Sequence, residues 1–129
     1  MIAADTSTWI AFLKGQTGND VDMLSEALEL RQIVVPPAVL TELLSDSNLP
    51  ASVARSLSEL PLLEPQPEYW ERCGRLRARV LARKRKARLG DALIAQSCID
   101  ARTPLITRDD DFRAFADAAG LKLLFTESC

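Results

Sequence analysis

The chain has 129 residues, nearly half of them apolar, and a formal net charge of −2. That is enough for one compact domain over residues 1–129, too apolar for a disordered chain, and no signature of a bulk nucleic-acid or membrane binder. It contains no histidine, which excludes Ser-His-Asp and Cys-His catalysis, HExxH zinc sites and imidazole-based ribonuclease chemistry.

Ile2 to Ala4 is a short apolar run ending at Asp5 and predicts a first strand. Ser7 is a fair N-cap for a short helix carrying Trp9, Ile10 and Leu13. Gly15 to Asn19 reads as a loop, and Asp20 as the cap of a helix to about Leu30 with Met23, Leu24, Ala27 and Leu28 on one face. Ile33-Val34-Val35 predicts a buried strand stopped by Pro36-Pro37, and Pro37 suits the first turn of a helix carrying Val39, Leu40, Leu43 and Leu44. After a loop over Ser47 to Pro50 a helix runs to about Glu59, and Leu62-Leu63 reads as another strand before Pro65 and Pro67. Glu68 to about Arg85 predicts a long, Arg-rich helix. Gly90-Asp91 opens a helix over Ala92 to Ile99 that is apolar nearly all round and therefore buried. Leu105-Ile106 is a strand, Asp109 to Ala119 a helix ended by Gly120, and Leu121 to Phe125 the last strand. Strands alternating with helices predict an α/β class with a mostly parallel sheet.

Cys73, Cys98 and Cys129 are odd in number and far apart, so neither a disulfide framework nor a zinc site is expected. The N-terminus lacks the basic and apolar regions of a secretory leader, and no stretch reaches the roughly 20 apolar residues of a membrane span. The expectation is a cytoplasmic protein with no membrane contact.

Open parallel sheets bind ligands beyond the carboxyl ends of their strands. Asp5 and Asp109 follow predicted strands, Glu42 lies in the helix after Ile33 to Val35, and Asp91 in the first turn of its helix, so four acids distant in sequence could converge. Each also has a plain structural reading. Asp5 could cap a helix, Asp91 and Asp109 could be acids favoured at helix N-termini, and Glu42 could be solvated. Asp91, however, falls within the arc of Ala95 and Cys98 on a helix that looks buried, where a carboxylate needs a partner. Clustered carboxylates repel one another unless a cation is present, and Mg²⁺ or Mn²⁺ suits oxygen ligands. Such a site supports phosphodiester hydrolysis without histidine. The basic run Arg83, Lys84, Arg85, Lys86, Arg88 is either a solvated face or a phosphate-tracking surface, with Arg83, Arg85, Lys86 and Arg88 the candidate RNA contacts. Tyr69 and Trp70 could stack on a base or pack within the protein. A receiver-type phosphoacceptor or a DxD phosphatase would want a second acid beside Asp5, where Thr6-Ser7 stands.

Four segments in order, Asp5-Thr6-Ser7, Thr41-Glu42-Leu43, Asp91-Ala92-Leu93-Ile94-Ala95 and Thr107-Arg108-Asp109-Asp110-Asp111-Phe112, resemble the motifs of PIN domains, close in size to the VapC-type toxins of toxin–antitoxin pairs. The resemblance covers essentially the whole chain. It implies a three-layer α/β/α fold and a Mg²⁺- or Mn²⁺-dependent endoribonuclease with Asp5, Glu42, Asp91 and Asp109 as its acids. Asp5, Asp91, Asp109 and the additional acid Asp111 would face the metal, with Asp110 solvated, and Thr6, Ser7 and Thr107 would support the site. Ser7 departs from the Asn common at that place. An RNA substrate, a cognate antitoxin protein and a homodimer are the implied partners. The alternative is a non-catalytic PIN-like module that binds RNA or protein.

Overall fold

A computed structural model describes residues 1–124. The secondary elements run β1 (Ala3–Ala4), α1 (Thr6–Leu13), α2 (Asn19–Glu29), α3 (Pro37–Leu44), α4 (Ala51–Ser58), α5 (Tyr69–Ala82), α6 (Leu89–Asp100), β2 (Leu105–Ile106), a 3₁₀ turn (Asp110–Phe112), α7 (Arg113–Ala119) and β3 (Leu123–Leu124).

All strand pairings are parallel. Ala3 and Ala4 pair with Leu105 and Ile106, which pair with Leu123 and Leu124. On the other side of β1 the sheet continues through single bridges, Ile2 to Ile33 and Val35 to Leu62. The predicted strands at Ile33 to Val35 and Leu62-Leu63 are therefore present as bridges and not as full ladders. Pro36 and Pro61 flank them and have no N–H to donate. Phe125, assigned from sequence to the last strand, lies outside the described residues.

The chain thus moves outward from β1 through Ile33–Val35 to Leu62, then returns to the opposite side of β1 for β2 and β3. Right-handed crossovers put the connections before and after that reversal on opposite faces, giving the three-layer α/β/α arrangement. The helix contacts agree. α1 packs on α2 and α3, and α3 on α4, while α5 packs on α6 and α7 and α6 on α7; α3 and α6 also meet, joining the two groups. The strand order reverses beside β1, and this reversal is where open α/β sheets form a ligand crevice.

Trp9, Leu24, Val39, Leu76, Ile94, Leu105, Phe112 and Phe115 belong to one core cluster. α6 buries nearly every side of its middle, including Ala92, Ile94, Ala95 and Cys98, as its uniformly apolar sequence predicts. It starts at Leu89, three residues before the predicted Ala92, because Arg88 already has the extended conformation of an N-cap. Pro37 occupies the first turn of α3, and Gly120, at φ 77°, ends α7. Asp20 is not the cap of α2. Gly18 holds that position, and Asp20 lies buried in the first turn. Among the described residues no helix is long and apolar enough to cross a membrane.

Candidate functional site

Asp5 is the first residue past β1, and its N–H donates to the Ile106 carbonyl at 3.0 Å, which continues the ladder to β2. With β1 ending there, Asp5 takes the N-cap of α1, and its Oδ1 accepts the Thr8 N–H at 3.1 Å. The sequence offered that cap to both Ser7 and Asp5. Ser7 instead lies within the first turn and donates its hydroxyl to Asp5 at 2.9 Å. Thr107, placed by the end of β2, donates to Asp5 Oδ2 at 2.8 Å, and its Oγ1 accepts the Asp109 N–H at 2.9 Å. Capping and site-building are therefore the same geometry at Asp5. The carboxylate is 2% exposed. Burial pushes its pKa up, only partly offset by the hydrogen bonds from Thr107, Thr8 and Ser7.

Beside it, Asp91 from the first turn of α6 meets Asp109 and Asp111 from the segment after β2. One carboxylate oxygen of each lies within 4.8 Å of the others. Asp109 caps the 3₁₀ turn by accepting the Asp111 N–H at 2.9 Å, which fixes the two acids side by side. Asp110 is turned outward, its side chain 89% exposed and paired with Arg113 at 3.3 Å. Asp91 Oδ2 is buried and, among the described residues, receives no hydrogen bond. Burial and then the charge of Asp109, with smaller pushes from Asp5 and Asp111, raise the Asp91 pKa to about 6 against the pull of Arg88. An all-oxygen donor set with an orphaned buried carboxylate oxygen and mutual repulsion fits a hard divalent cation such as Mg²⁺ or Mn²⁺.

Glu42 reaches the same place from α3, which packs on α6. The Thr6 hydroxyl donates to Glu42 Oε1. Gly90 leaves room for Glu42, since a Cβ there would stand 2.8 Å from Glu42 Oε2. Asp5, Thr6, Ser7, Glu42, Asp91, Asp109 and Arg88 together line a cleft of about 360 Å³. The structure thus brings the four motif acids to one opening. Asp111 joins Asp91 and Asp109 from the side, and Asp5 stands apart from that triad in its sheath of hydroxyls.

The basic run divides. Lys86 Nζ lies 3.4 Å from Asp111, and Arg88 lies 3.8 Å from both Asp109 and Asp111. Arg85 turns away to pair with Asp117 of α7 at 3.3 Å, and Arg83 is exposed at the end of α5. Tyr69 is buried and donates its hydroxyl to the Leu93 carbonyl at 2.6 Å, whereas Trp70 is 65% exposed.

Sequence reasoning missed a second node. Arg108 donates from Nε and Nη2 to the two oxygens of Asp20 at 2.7 and 2.9 Å, and Thr8 donates to Asp20 Oδ2 at 2.9 Å. This pins α2 to α1 and to the segment that carries Thr107 and Asp109. Its signal was an acid at a helix start and an arginine between two motif residues, neither distinctive alone.

A sequence comparison with curated proteins finds no match. The crystal structure of a member of the VapBC family of toxin–antitoxin systems, VapBC-5 from Mycobacterium tuberculosis, is similar to this one with a TM-score of 0.68, covering 97% of this chain and 98% of that one. At 23% identity it shows a common fold. The PIN domain family model matches residues 2–118, a span that holds Asp5, Glu42, Asp91 and Asp109 and nearly all of the core, and the chain belongs to that family.

Proposed function

We propose that this protein is a metal-dependent endoribonuclease, the VapC-type toxin of a toxin–antitoxin pair, acting in the cytoplasm. The observation that carries this reading is the meeting of Asp91, Asp109 and Asp111 within 4.8 Å, at a cleft shared with Asp5 and Glu42, in a chain with no histidine. Asp5, Asp91, Asp109 and Asp111 would hold Mg²⁺ or Mn²⁺, directly or through water. When bound, such an ion supplies an activated water and neutralises charge on the phosphate oxygens. Glu42 orients or deprotonates the attacking water, and the Thr6 hydroxyl, donating to Glu42 Oε1, holds that carboxylate in place. Ser7 and Thr107 hold Asp5 in place, and their hydroxyls, donating to the carboxylate, partly offset the upward push of burial on its pKa. Lys86 and Arg88 at the rim counter the repulsion between an acid cluster and the RNA backbone, with Arg83 and Arg85 extending the basic surface. A cognate antitoxin is the expected partner, on the likeness to a member of a toxin–antitoxin family; a second copy of the chain is expected from the motif resemblance alone.

The test is cleavage of labelled single-stranded RNA by the purified protein in Mg²⁺, Mn²⁺ or EDTA, beside an Asp5→Asn control. Cleavage that requires the ion and disappears in the control is the expected result. A fully active Asp5→Asn protein would sink the site assignment. Inactivity on several unrelated RNAs, by protein that binds the ion, would favour a non-catalytic binding module.

A further inference from the structure

We propose, resting on the metal-dependent nuclease reading, that Lys86 and Arg88 are exchangeable counterions of the acid triad. They neutralise it while no divalent ion is bound, and ion binding turns them out toward the RNA backbone.

The backbone fixes their place. Ala87 is buried in the core cluster, and its carbonyl accepts the Arg77 Nε hydrogen at 2.8 Å. Lys84, at φ 62°, turns the chain after α5, and Arg88 is extended at φ −66°, ψ 149°. In an extended segment, residues on either side of an inward-facing one point the other way. With Ala87 anchored inward, Lys86 and Arg88 are both directed outward over Asp109 and Asp111.

Their grip is electrostatic and loose. The contacts are 3.4 and 3.8 Å, beyond good hydrogen-bond length, and both side chains are 56% exposed. The Arg108–Asp20 pair, with two bonds at 2.7 and 2.9 Å, shows what a fixed pair looks like in the same molecule. Three carboxylates with two cations carry one net negative charge. A divalent ion added to the same group would make it net positive, so the two side chains, being exposed and flexible, move off at little cost. Arg88 already lines the cleft, and Lys86, two residues before it and in contact with Asp111, flanks it.

Removing these positive charges should tighten metal binding. Mn²⁺ titration calorimetry on the full chain should show the Lys86→Gln/Arg88→Gln double variant binding Mn²⁺ roughly three- to tenfold more tightly than wild type. Each single variant should lie between, and Arg55→Gln, on the exposed face of α4 and outside the cleft lining, should leave Mn²⁺ affinity unchanged. RNA binding is then read in a Glu42→Gln background, at constant ionic strength, with a single-stranded RNA oligomer. The double variant should lose more affinity in Mn²⁺ than in EDTA, because in EDTA the acids already occupy these cations. Unchanged or weaker Mn²⁺ binding in the double variant overturns the proposal, as does an equal RNA loss with and without Mn²⁺. The Mn²⁺ arm involves neither RNA nor cleavage. A cleaving wild type whose Mn²⁺ affinity ignores Lys86 and Arg88 therefore defeats the exchange and leaves the nuclease reading intact. Tightened Mn²⁺ binding in a protein that neither binds nor cuts RNA supports the counterion role and defeats the nuclease reading.

Discussion

Asp20 and Asp91 are both buried aspartates in the first turn of a helix, and the protein treats them in opposite ways. Burial pushes the Asp20 carboxyl up, but the hydrogen bonds and charge of Arg108 and the Thr8 hydroxyl outweigh it and hold the pKa below 3.8. Burial pushes Asp91 up as well, and there Asp109 adds to the rise, so it reaches about 6. Burial alone therefore says nothing about purpose. A buried carboxylate given a guanidinium holds the structure together, whereas one given other carboxylates is left needing a cation.

The largest effect that separates the two is on cleavage. Asp91→Asn should lower ribonuclease activity by more than about a hundredfold, beyond what the loss of a residue merely supporting a metal site costs. Asp20→Asn, assayed where it is folded, should stay within a few-fold of wild type. Single-turnover cleavage in Mn²⁺ measures both, and equal losses would dissolve the distinction.

Stability should reverse the ranking. Asp20→Asn takes from Arg108 its counter-charge and one of two acceptor oxygens, and with Arg108 a third exposed the cost is about 2 kcal/mol, less than for a fully buried pair. Asp91→Asn removes a repelled charge and should stabilise the metal-free protein by about 1 kcal/mol, with Mn²⁺ raising the melting temperature of wild type more than that of the variant. The pH dependence follows the same signs. The folded pKa of Asp91 lies above its ordinary 3.8, so the metal-free protein loses stability as pH rises from there through about 6. The folded pKa of Asp20 lies below 3.8, so its contribution is complete above that value and is lost as pH falls through the folded pKa. Urea unfolding in EDTA across this range should show Asp91→Asn flattening the upper limb, less a remainder from Asp5, and Asp20→Asn flattening the lower.

This contrast also marks what the sequence could and could not disclose. The α/β alternation was legible, because apolar runs and proline stops are local signals. So was the buried character of α6, whose apolar residues run all round. Asp5, Asp91 and Asp109 stood out because each follows a strand or opens a helix, and Glu42 because its helix follows the strand at Ile33 to Val35; strand ends of a parallel sheet share one edge. The N-cap of α1 was left open between Asp5 and Ser7 because Asp and Ser are both good caps. Only the end of β1 decides between Asp5 and Ser7. The Asp20–Arg108 pair was invisible because 88 residues separate its partners and nothing local requires them to meet. The split of the basic run was hidden likewise. It depends on Ala87 facing the core, and alternation over so few residues does not declare its own phase.

The smallest separable effects come from two glycines, one beside each part of the comparison. A Cβ at Gly18, where φ is 151°, would stand 2.6 Å from Asp20 Oδ1 and 2.8 Å from Arg108 Nη2. Those atoms are fixed by two short bonds and cannot give way, and the backbone conformation is itself strained for an L side chain. Gly18→Ala should therefore cost stability, about 1–2 kcal/mol, with cleavage retained in the folded protein. At Gly90 the obstructed atom is the end of Glu42, an exposed and flexible side chain that can swing aside. Alanine also suits a helix better than glycine, so Gly90→Ala should leave the melting temperature unchanged or slightly raised. What it displaces is the carboxylate proposed to orient the attacking water. Cleavage should fall about tenfold while Mn²⁺ affinity holds, because Asp91, Asp109 and Asp111 do not move. Loss of stability at Gly90→Ala with activity intact would reverse the assignment and make Glu42 a packing residue.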